Sequence, residues 1–276
     1  MKRAAVTPTA VLLLGALYCL LPVTWVLVAS TKSTNALFHS FTFAPGESLL
    51  TNIGDLSAYR DGLYWRWMLN TAGYAGLGAL LSAALSGLTG YTLAKYRFTG
   101  RSLIFNVLLT GVLLPPIVLA IPQYLMLAKF GLTNTYLSVL LPSILSPYGI
   151  YLARIYTAAA VPDSLVEAAR VDGAGELRIF ARVAVPSLLP GLVTVFLFQF
   201  VAIWNNFLLP FVMLSDDNKF PVTVGLFTLL NQGQTVPALY SLVIIGVLVS
   251  IVPLIALFLT LQRYWRLDLV SGSVKG

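Results

Sequence analysis

Apolar residues fall along this chain in long blocks rather than in short alternating runs. Six blocks, roughly 8–30, 67–92, 102–126, 137–153, 187–214 and 237–261, contain no Lys, Arg, Asp or Glu. Each is long enough for a helix to cross the hydrocarbon core of a bilayer, which takes roughly 17–25 residues. The pattern predicts an all-α, polytopic membrane protein with six transmembrane helices, built as a single transmembrane domain over 1–276.

The blocks and their connections carry finer signals. The connection 31–66 is polar and aromatic, and Phe38, Phe41, Phe43, Tyr59, Tyr64, Trp65 and Trp67 read as anchors at the membrane interface. His39 in the same stretch has no second ligand near it in sequence and reads as an ordinary loop histidine. Span two places Gly78, Ser82, Ser86 and Gly90 at four-residue intervals, a face of small side chains that another helix can approach closely. Span three contains Pro115, Pro116 and Pro122, which remove backbone donors and predict a broken helix in mid-membrane. Such a break is tolerated where the freed carbonyls face protein or a watery cavity, so a structural kink and a pathway-lining kink both remain open. The connection 215–236 is expected to hold a short interfacial helix.

Composition removes the soluble alternative. With 58% hydrophobic residues, 10% charged residues and a mean hydropathy of +0.86, the chain has too little polar surface for a soluble domain of 276 residues. Charge then sets the orientation. Lys2, Arg3, Lys95, Arg97, Arg101, Arg154, Arg170, Arg178, Arg182, Arg263, Arg266 and Lys275 fall on one side of the six spans, leaving only Lys32, Arg60, Arg66, Lys129 and Lys219 on the other. The basic side is expected to be cytoplasmic, with both termini there. The net charge of +7 is explained by attraction to the lipid of the inner leaflet and calls for no nucleic acid. Lys2 and Arg3 precede an apolar run longer than a signal-peptide core, which reads as an uncleaved first span. Cys19, the single cysteine, can form no internal disulfide and is expected to be a buried small hydrophobe.

One connection is unlike the others. Residues 167–186, EAARVDGAGELRIFARVAVP, carry six charges among apolar residues at helical spacing. Pro162, Asp163 and Ser164 read as a helix start, with proline early and an acid in the first turn. That helix is expected to run to Val171 and stop at Asp172-Gly173, where glycine supplies a left-handed cap. Leu165, Ala168, Ala169 and Asp172 share a face of it, and Glu167 and Arg170 are spaced to pair at i, i+3. A second short helix is expected from about Gly175, with Leu177, Phe180 and Val183 at three-residue spacing, and Pro186 opens span five. Read from the residues alone, the segment is either an amphipathic connector lying on the leaflet or a surface for another protein.

The full spacing resembles a known family. Glu167-Ala168-Ala169, three residues, Gly173, nine residues, then Val183-x-Val185-Pro186 is similar to the EAA loop of permease subunits in binding-protein-dependent ABC importers, with Val at both later apolar positions. Asn35-Ala36-Leu37-Phe38, Leu88-Thr89-Gly90-Tyr91, Lys95-Tyr96-Arg97-Phe98, Thr133-Asn134-Thr135-Tyr136, Trp204-Asn205-Asn206-Phe207-Leu208 and the terminal Gly272-Ser273-Val274-Lys275-Gly276 resemble the maltose-type sugar permeases, in particular their smaller six-span subunit. The resemblance implies that 162–185 is a coupling loop seated in a groove of an ATPase subunit, with Leu165, Glu167, Ala168, Ala169, Asp172 and Gly173 at the contact. It also implies two ATPase copies, a second homologous permease, an extracytoplasmic solute-binding protein and a place in the bacterial cytoplasmic membrane. The tail 264–276 departs from the family's form at Arg266, Leu267 and Asp268, and a tail contact with the ATPase is left open.

The remaining chemistry concerns energy and solute. No span holds an ionisable side chain that would serve ion coupling, and no Gly-rich phosphate loop occurs, so ATP and Mg are expected on the partner and no cofactor on this chain. One His and one Cys, each isolated, build no usual catalytic site, so the chain is expected to be a transport subunit and not an enzyme. Polar residues at membrane depth are neutral, and Gln199, Trp204, Asn205, Asn206, Asn70 and Gln123 are the pathway candidates, with Tyr74, Asn106 and Tyr124 beside them. Amides and aromatic faces suit an uncharged sugar; the alternative is a glycerophosphate, an amino acid or another charged solute.

Overall fold

The computed structural model describes the backbone of residues 6–40 and 43–272 and the side chains of 8–40 and 43–262. The expectations placed on Lys2, Arg3, Phe41 and the side chains of the tail from Arg263 onward lie outside the described residues.

Helices dominate. Five helical runs are long and apolar enough to cross a membrane: Pro8–Ser30, Leu63–Lys95, Tyr136–Ala160, Glu176–Trp204 and Leu239–Gln262. A sixth is made of two helices, Arg101–Leu113 and Pro116–Lys129, bent by 108° at the break. The break falls at the Pro115-Pro116 pair, where the missing N–H groups end one helix and Pro116 begins the next. Contacts group the chain into two compact units, Met1–Trp65 with Gly225–Val252, and Arg66–Val224 with Pro253–Gly276.

The first unit begins with α1 (Val6–Ser30). Among the described residues nothing covers this helix along its apolar window, so Cys19 is exposed on it rather than buried as expected. The following connection folds into α2 (Thr34–His39), capped by Ser33, and α3 (Leu49–Ala58). Buried Asn52 on α3 donates to the carbonyls of Ser30 and Lys32 at 2.8 and 2.9 Å, which ties α3 to the end of α1. Phe38, Phe43 and Trp65 are exposed, as interface anchors should be, but Tyr64 and Trp67 are buried. The Tyr64 hydroxyl finds a partner in the Gly246 carbonyl at 2.8 Å, which lets an aromatic ring with a polar tip be covered completely.

The second unit contains most of α4 (Leu63–Lys95), then α5 (Arg101–Leu113), α6 (Pro116–Lys129), α7 (Tyr136–Ile144), α8 (Pro147–Ala160), α9 (Asp163–Val171), α10 (Glu176–Ile179), α11 (Val185–Trp204) and α12 (Leu208–Met213). The small-residue face of α4 does bring helices close. A Cβ at Gly90 would lie 2.7 Å from the Arg154 nitrogen on α8, and one at Gly78 would lie 2.8 Å from Ile203 on α11. Ser82 and Ser86 on the same face are buried. α8 and α11 pack along one another, and α5 lies against α8.

The ends of spans four and five differ most from the pattern. Span four extends through Ala160, nearly two turns past Arg154, since α8 leads straight into the charged segment. Span five ends at Trp204 rather than 214, because Asn205 caps α11 and the chain breaks before α12. The chain closes with α13 (Val222–Gly233) and α14 (Leu239–Gly272). The short helix expected in 215–236 forms as α13, with Val222, Val224, Leu226 and Leu229 buried against protein and Phe227 and Leu230 exposed.

Candidate functional site

The charged segment folds as two helices at a glycine elbow. α9 starts after Pro162 and ends at Val171, and Gly173 takes φ +78°. The Gly173 and Ala174 nitrogens donate back to the carbonyls of Arg170 and Ala169, both at 3.0 Å, which closes the left-handed turn. Gly175 caps α10, and the chain passes through a π-helical turn, Phe180–Ala184, into α11. The wider turn has a cause in the sequence. Pro186 offers no N–H and its ring would crowd the carbonyl four residues back, and shifting the ladder to i→i+5 just ahead of it relieves both.

The elbow rests on a core of Tyr91, Val161, Val166, Ile179, Ala184 and Leu188, with Ala169, Phe180 and Val183 packed against it. Ile179 is fully buried. Opposite this core, Leu165 is 45% exposed, Val171 88% and Leu177 77%, values that leave three large apolar side chains beside the exposed Glu167, Ala168, Asp172 and Gly173. Of the face expected to be shared, Leu165, Ala168 and Asp172 are exposed while Ala169 turns inward. Of the expected Leu177, Phe180 and Val183 row, only the last two reach the core.

Charges fix the elbow from the side. Lys95 Nζ lies 2.6 Å from Asp163 Oδ1, with the lysine side chain 7% exposed and the aspartate 79% exposed. Arg170 does not pair with Glu167. It reaches across the elbow to Glu176, Nε to Oε1 at 2.8 Å and Nη2 to Oε2 at 3.3 Å. Glu176 also accepts from the Tyr96 hydroxyl, and the Arg170 guanidinium sits 5.7 Å from the Tyr96 ring centre. Arg170 first, and the Tyr96 hydrogen bond second, hold the Glu176 carboxyl below its ordinary range. Lys95 does the same for Asp163. Burial, then the bond to Glu176, pushes the Tyr96 hydroxyl up to about 12. Lys95 and Tyr96, consecutive at the end of α4, thus bolt the two halves of the elbow to one helix. Nothing in the spacing of the sequence links Tyr96 to a residue eighty positions on.

At the other end of α8 and α11 lies a cavity of 360 Å³. Three helix breaks border it: Leu114 and Pro116 at the α5–α6 bend, Leu145 to Pro147 between α7 and α8, and Asn206 to Leu208 between α11 and α12. Its polar lining is Gln123, Gln199, Asn206, Ser143, Ser146 and Tyr148, and among the described residues no charged one contributes. Gln199 donates to the Ser143 carbonyl at 2.8 Å, and Ser146 caps α8 by accepting from Gly149 N at 3.1 Å. Irregular backbone at membrane depth occurs where it lines a cavity or is buried in protein, and here three breaks converge on one space.

Three of the six pathway candidates therefore come together: Gln123, Gln199 and Asn206. The other three lie outside this cavity. Trp204 is buried and stacked on Phe200, ring centres 5.4 Å apart. Asn205 turns its amide back to the Val201 carbonyl at 2.8 Å. Asn70 donates to the carbonyls of Asn218 and Phe220 at 2.8 and 3.0 Å, and with Tyr74 and Trp67 it holds the 217–220 turn on α4. Ser143, Ser146 and Tyr148 were not singled out in the sequence. Their signal was the pair of prolines, Pro142 and Pro147, flanking them within an apolar block.

A helical membrane chain with a charged elbow at one end of a packed helix pair and a neutral polar cavity at the other has the parts of a transport subunit. Residues 68–266 match the family described as binding-protein-dependent transport system inner membrane component, and the chain belongs to that family. It is therefore an inner-membrane permease component that works with other subunits. The arabinooligosaccharides transport system permease protein AraQ of Halalkalibacterium halodurans is 34% identical over 253 residues, covering 91% of this chain and 89% of that one. The diacetylchitobiose uptake system permease protein NgcG of Streptomyces coelicolor is 29% identical over 274 residues, covering 99% and 88%. A chain in the crystal structure of a bacterial ABC transporter involved in the import of the acidic polysaccharide alginate superimposes with a TM-score of 0.81 at 24% identity, over 94% of this chain and 95% of that one, which establishes the fold.

Proposed function

We propose that this chain lines the translocation pathway for an uncharged sugar, an oligosaccharide or a close relative, in an ATP-driven importer. The observation that carries the reading is the 360 Å³ cavity, walled by the amides of Gln123, Gln199 and Asn206 and bordered by three helix breaks. Amides and hydroxyls donate and accept, as a polyol requires, whereas a carboxylate or phosphate solute calls for a cation that the lining lacks. The names of the two relatives, both permeases for sugar uptake, point the same way.

The elbow 162–185 is the seat of the ATPase subunit, with Leu165, Val171 and Leu177 entering its groove and Glu167, Ala168, Asp172 and Gly173 at the contact. ATP and Mg belong to that partner. The elbow side and both termini face the cytoplasm, in keeping with the basic residues gathered there. A solute-binding protein delivers the sugar from outside, and a second homologous permease completes the pathway.

The test is uptake by the assembled importer reconstituted in vesicles, with a panel of labelled oligosaccharides against sn-glycerol 3-phosphate and amino acids. Transport of a neutral sugar, lost in Gln199→Leu while ATP hydrolysis by the assembly persists, is the expected result. Transport of a charged solute alone, or full sugar uptake in a Gln123→Leu, Gln199→Leu, Asn206→Leu triple variant, would overturn it.

A further inference from the structure

A second pocket, of 480 Å³, lies near the elbow end of α8 and has no part in the reading above. It is lined by Ala94 of α4, Arg101 of α5, and Arg154, Ile155, Ala158 and Ala159 of α8. Both arginines are half-buried, and neither has a carboxylate partner among the described residues. Lys95, the residue after Ala94, is already spent on Asp163.

The two guanidiniums are held in different ways. Arg154 sits over the Phe105 ring, its central carbon 3.8 Å from the ring centre. Phe105 is itself stacked with Tyr151, at 6.3 Å and 21°. A cation–ring contact holds a guanidinium in place while leaving its N–H donors unspent. Arg101 gives one N–H to the Tyr96 carbonyl at 3.3 Å, which orients it and neutralises nothing. Arg101 also opens α5 after Gly100, which has φ +87° and no side chain to cap the first-turn N–H groups. Two positioned cations with unspent donors, set against alanine and isoleucine, offer an anion charge-assisted hydrogen bonds on an apolar floor. An apolar wall beside a basic pocket at the end of membrane helices suits an anion that carries an acyl chain.

We propose that this pocket binds the phosphate ester of an anionic phospholipid, held by Arg101 and Arg154, with an acyl chain lying along Ala94, Ile155 and Ala158. The pocket is at the joint between α4, α5 and α8, and the Lys95–Asp163 ion pair is on the same α4 end. A lipid seated there fastens the elbow end of these helices to the leaflet. The proposal rests only on the membrane placement of the chain and not on the identity of the transported solute.

The experiment is native mass spectrometry of the purified assembly, delipidated in detergent and titrated with diacyl phosphatidylglycerol, phosphatidylcholine or inorganic phosphate. The expected result is one saturable phosphatidylglycerol site that phosphatidylcholine does not fill and inorganic phosphate does not empty. Affinity falls roughly five-fold in Arg101→Gln or Arg154→Gln, the ordinary contribution of one basic side chain to an anionic lipid. The double variant loses roughly the product, and the single variants carry the test if it does not fold. Arg154→Lys, which keeps the charge and loses the planar fork, falls between wild type and Arg154→Gln. Equal filling by phosphatidylcholine, or unchanged binding in the glutamine variants, would overturn the proposal. So would release of phosphatidylglycerol by inorganic phosphate, which makes the site one for free phosphate, or loss of a subunit from the variants with no lipid bound to wild type, which makes the arginines a subunit contact.

Discussion

Gly173 separates two causes that a single disruptive substitution at the elbow would confuse. Its φ of +78° is a conformation that costs a residue with a Cβ about 1–2 kcal/mol. The space around it is open: a Cβ placed there meets nothing within 4 Å. Alanine at 173 therefore suffers backbone strain and no clash, and the ratio of elbow to non-elbow conformers falls by a factor of about 5 to 30. Asparagine tolerates the left-handed region and recovers most of that loss. Arginine is strained like alanine and also projects a long side chain from an open surface, so any loss beyond alanine's measures what covers that surface in the assembly. The assay is ATP-dependent uptake in vesicles, normalised to the amount of chain in the membrane, for Gly173→Ala, Gly173→Asn and Gly173→Arg. The expected order is wild type, Asn, Ala, Arg. Equal uptake by Ala and Arg would refute the docking surface, and equal uptake by Asn, Ala and wild type would refute the conformational argument.

Three further outcomes follow from the packing and the charges. Gly90→Ala is expected to destabilise the folded chain by about 1–3 kcal/mol, because its Cβ meets the Ala153 and Arg154 backbone on α8; Gly76→Ala, which meets nothing, is expected to be neutral or stabilising by up to about 1 kcal/mol, and thermal melting in detergent compares them. Ile179→Ala empties a fully buried position under the elbow and is expected to cost about 2–5 kcal/mol, whereas Leu177→Ala leaves the melting temperature in place and weakens retention of the ATPase on copurification. The depressed Glu176 carboxyl gives a pH dependence: its contribution is present above the unfolded carboxylate's ordinary value near 4.5 and is lost as pH falls through the lower folded value. Wild type should accordingly lose melting temperature more steeply than Glu176→Gln in that acid window, and identical slopes would remove the clamp.

The sequence was most informative where local rules act alone. The elbow's start at Pro162, its stop at Asp172-Gly173 and its restart at Gly175 need only cap chemistry, and the structure has all three. The break at Pro115-Pro116 needs only the missing N–H. What failed depended on partners that only the folded chain brings together. The spacing of Glu167 and Arg170 permits a pair, but Glu176 comes nearer once the elbow turns, and Tyr96 completes the contact from another helix. Trp204-Asn205-Asn206 reads as one polar cluster, yet the end of α11 sends three consecutive side chains in three directions, and only Asn206 meets the cavity. Burial in a membrane chain is equally hard to foresee, because lipid-facing and protein-facing positions are both apolar. Cys19 on an uncovered helix and Leu229 on a covered one look alike in the sequence.

The elbow and the cavity are joined by the same two helices running in opposite directions. α8 starts at the cavity with Pro147 and Tyr148 and ends at Ala160, two residues before the elbow; α11 leaves the elbow at Val185 and reaches the cavity at Gln199 and Asn206. From Val185 to Gln199 is roughly 21 Å of helix at 1.5 Å per residue. A packed antiparallel pair of this kind transmits displacement as a body, since close-packed interiors deform little. The fit between α8 and α11 is close at both ends: a Cβ at Gly191 would lie 2.5 Å from Tyr156, and one at Gly149 would lie 3.0 Å from Val195. α4 adds a third strut, with Gly90 against Ala153 and its last residue, Lys95, on Asp163. The pieces able to give way are the three breaks around the cavity, where the ladder of hydrogen bonds is already interrupted. Under the proposed function, a pull on the elbow therefore arrives at the solute as a change in how those breaks close around Gln123, Gln199 and Asn206.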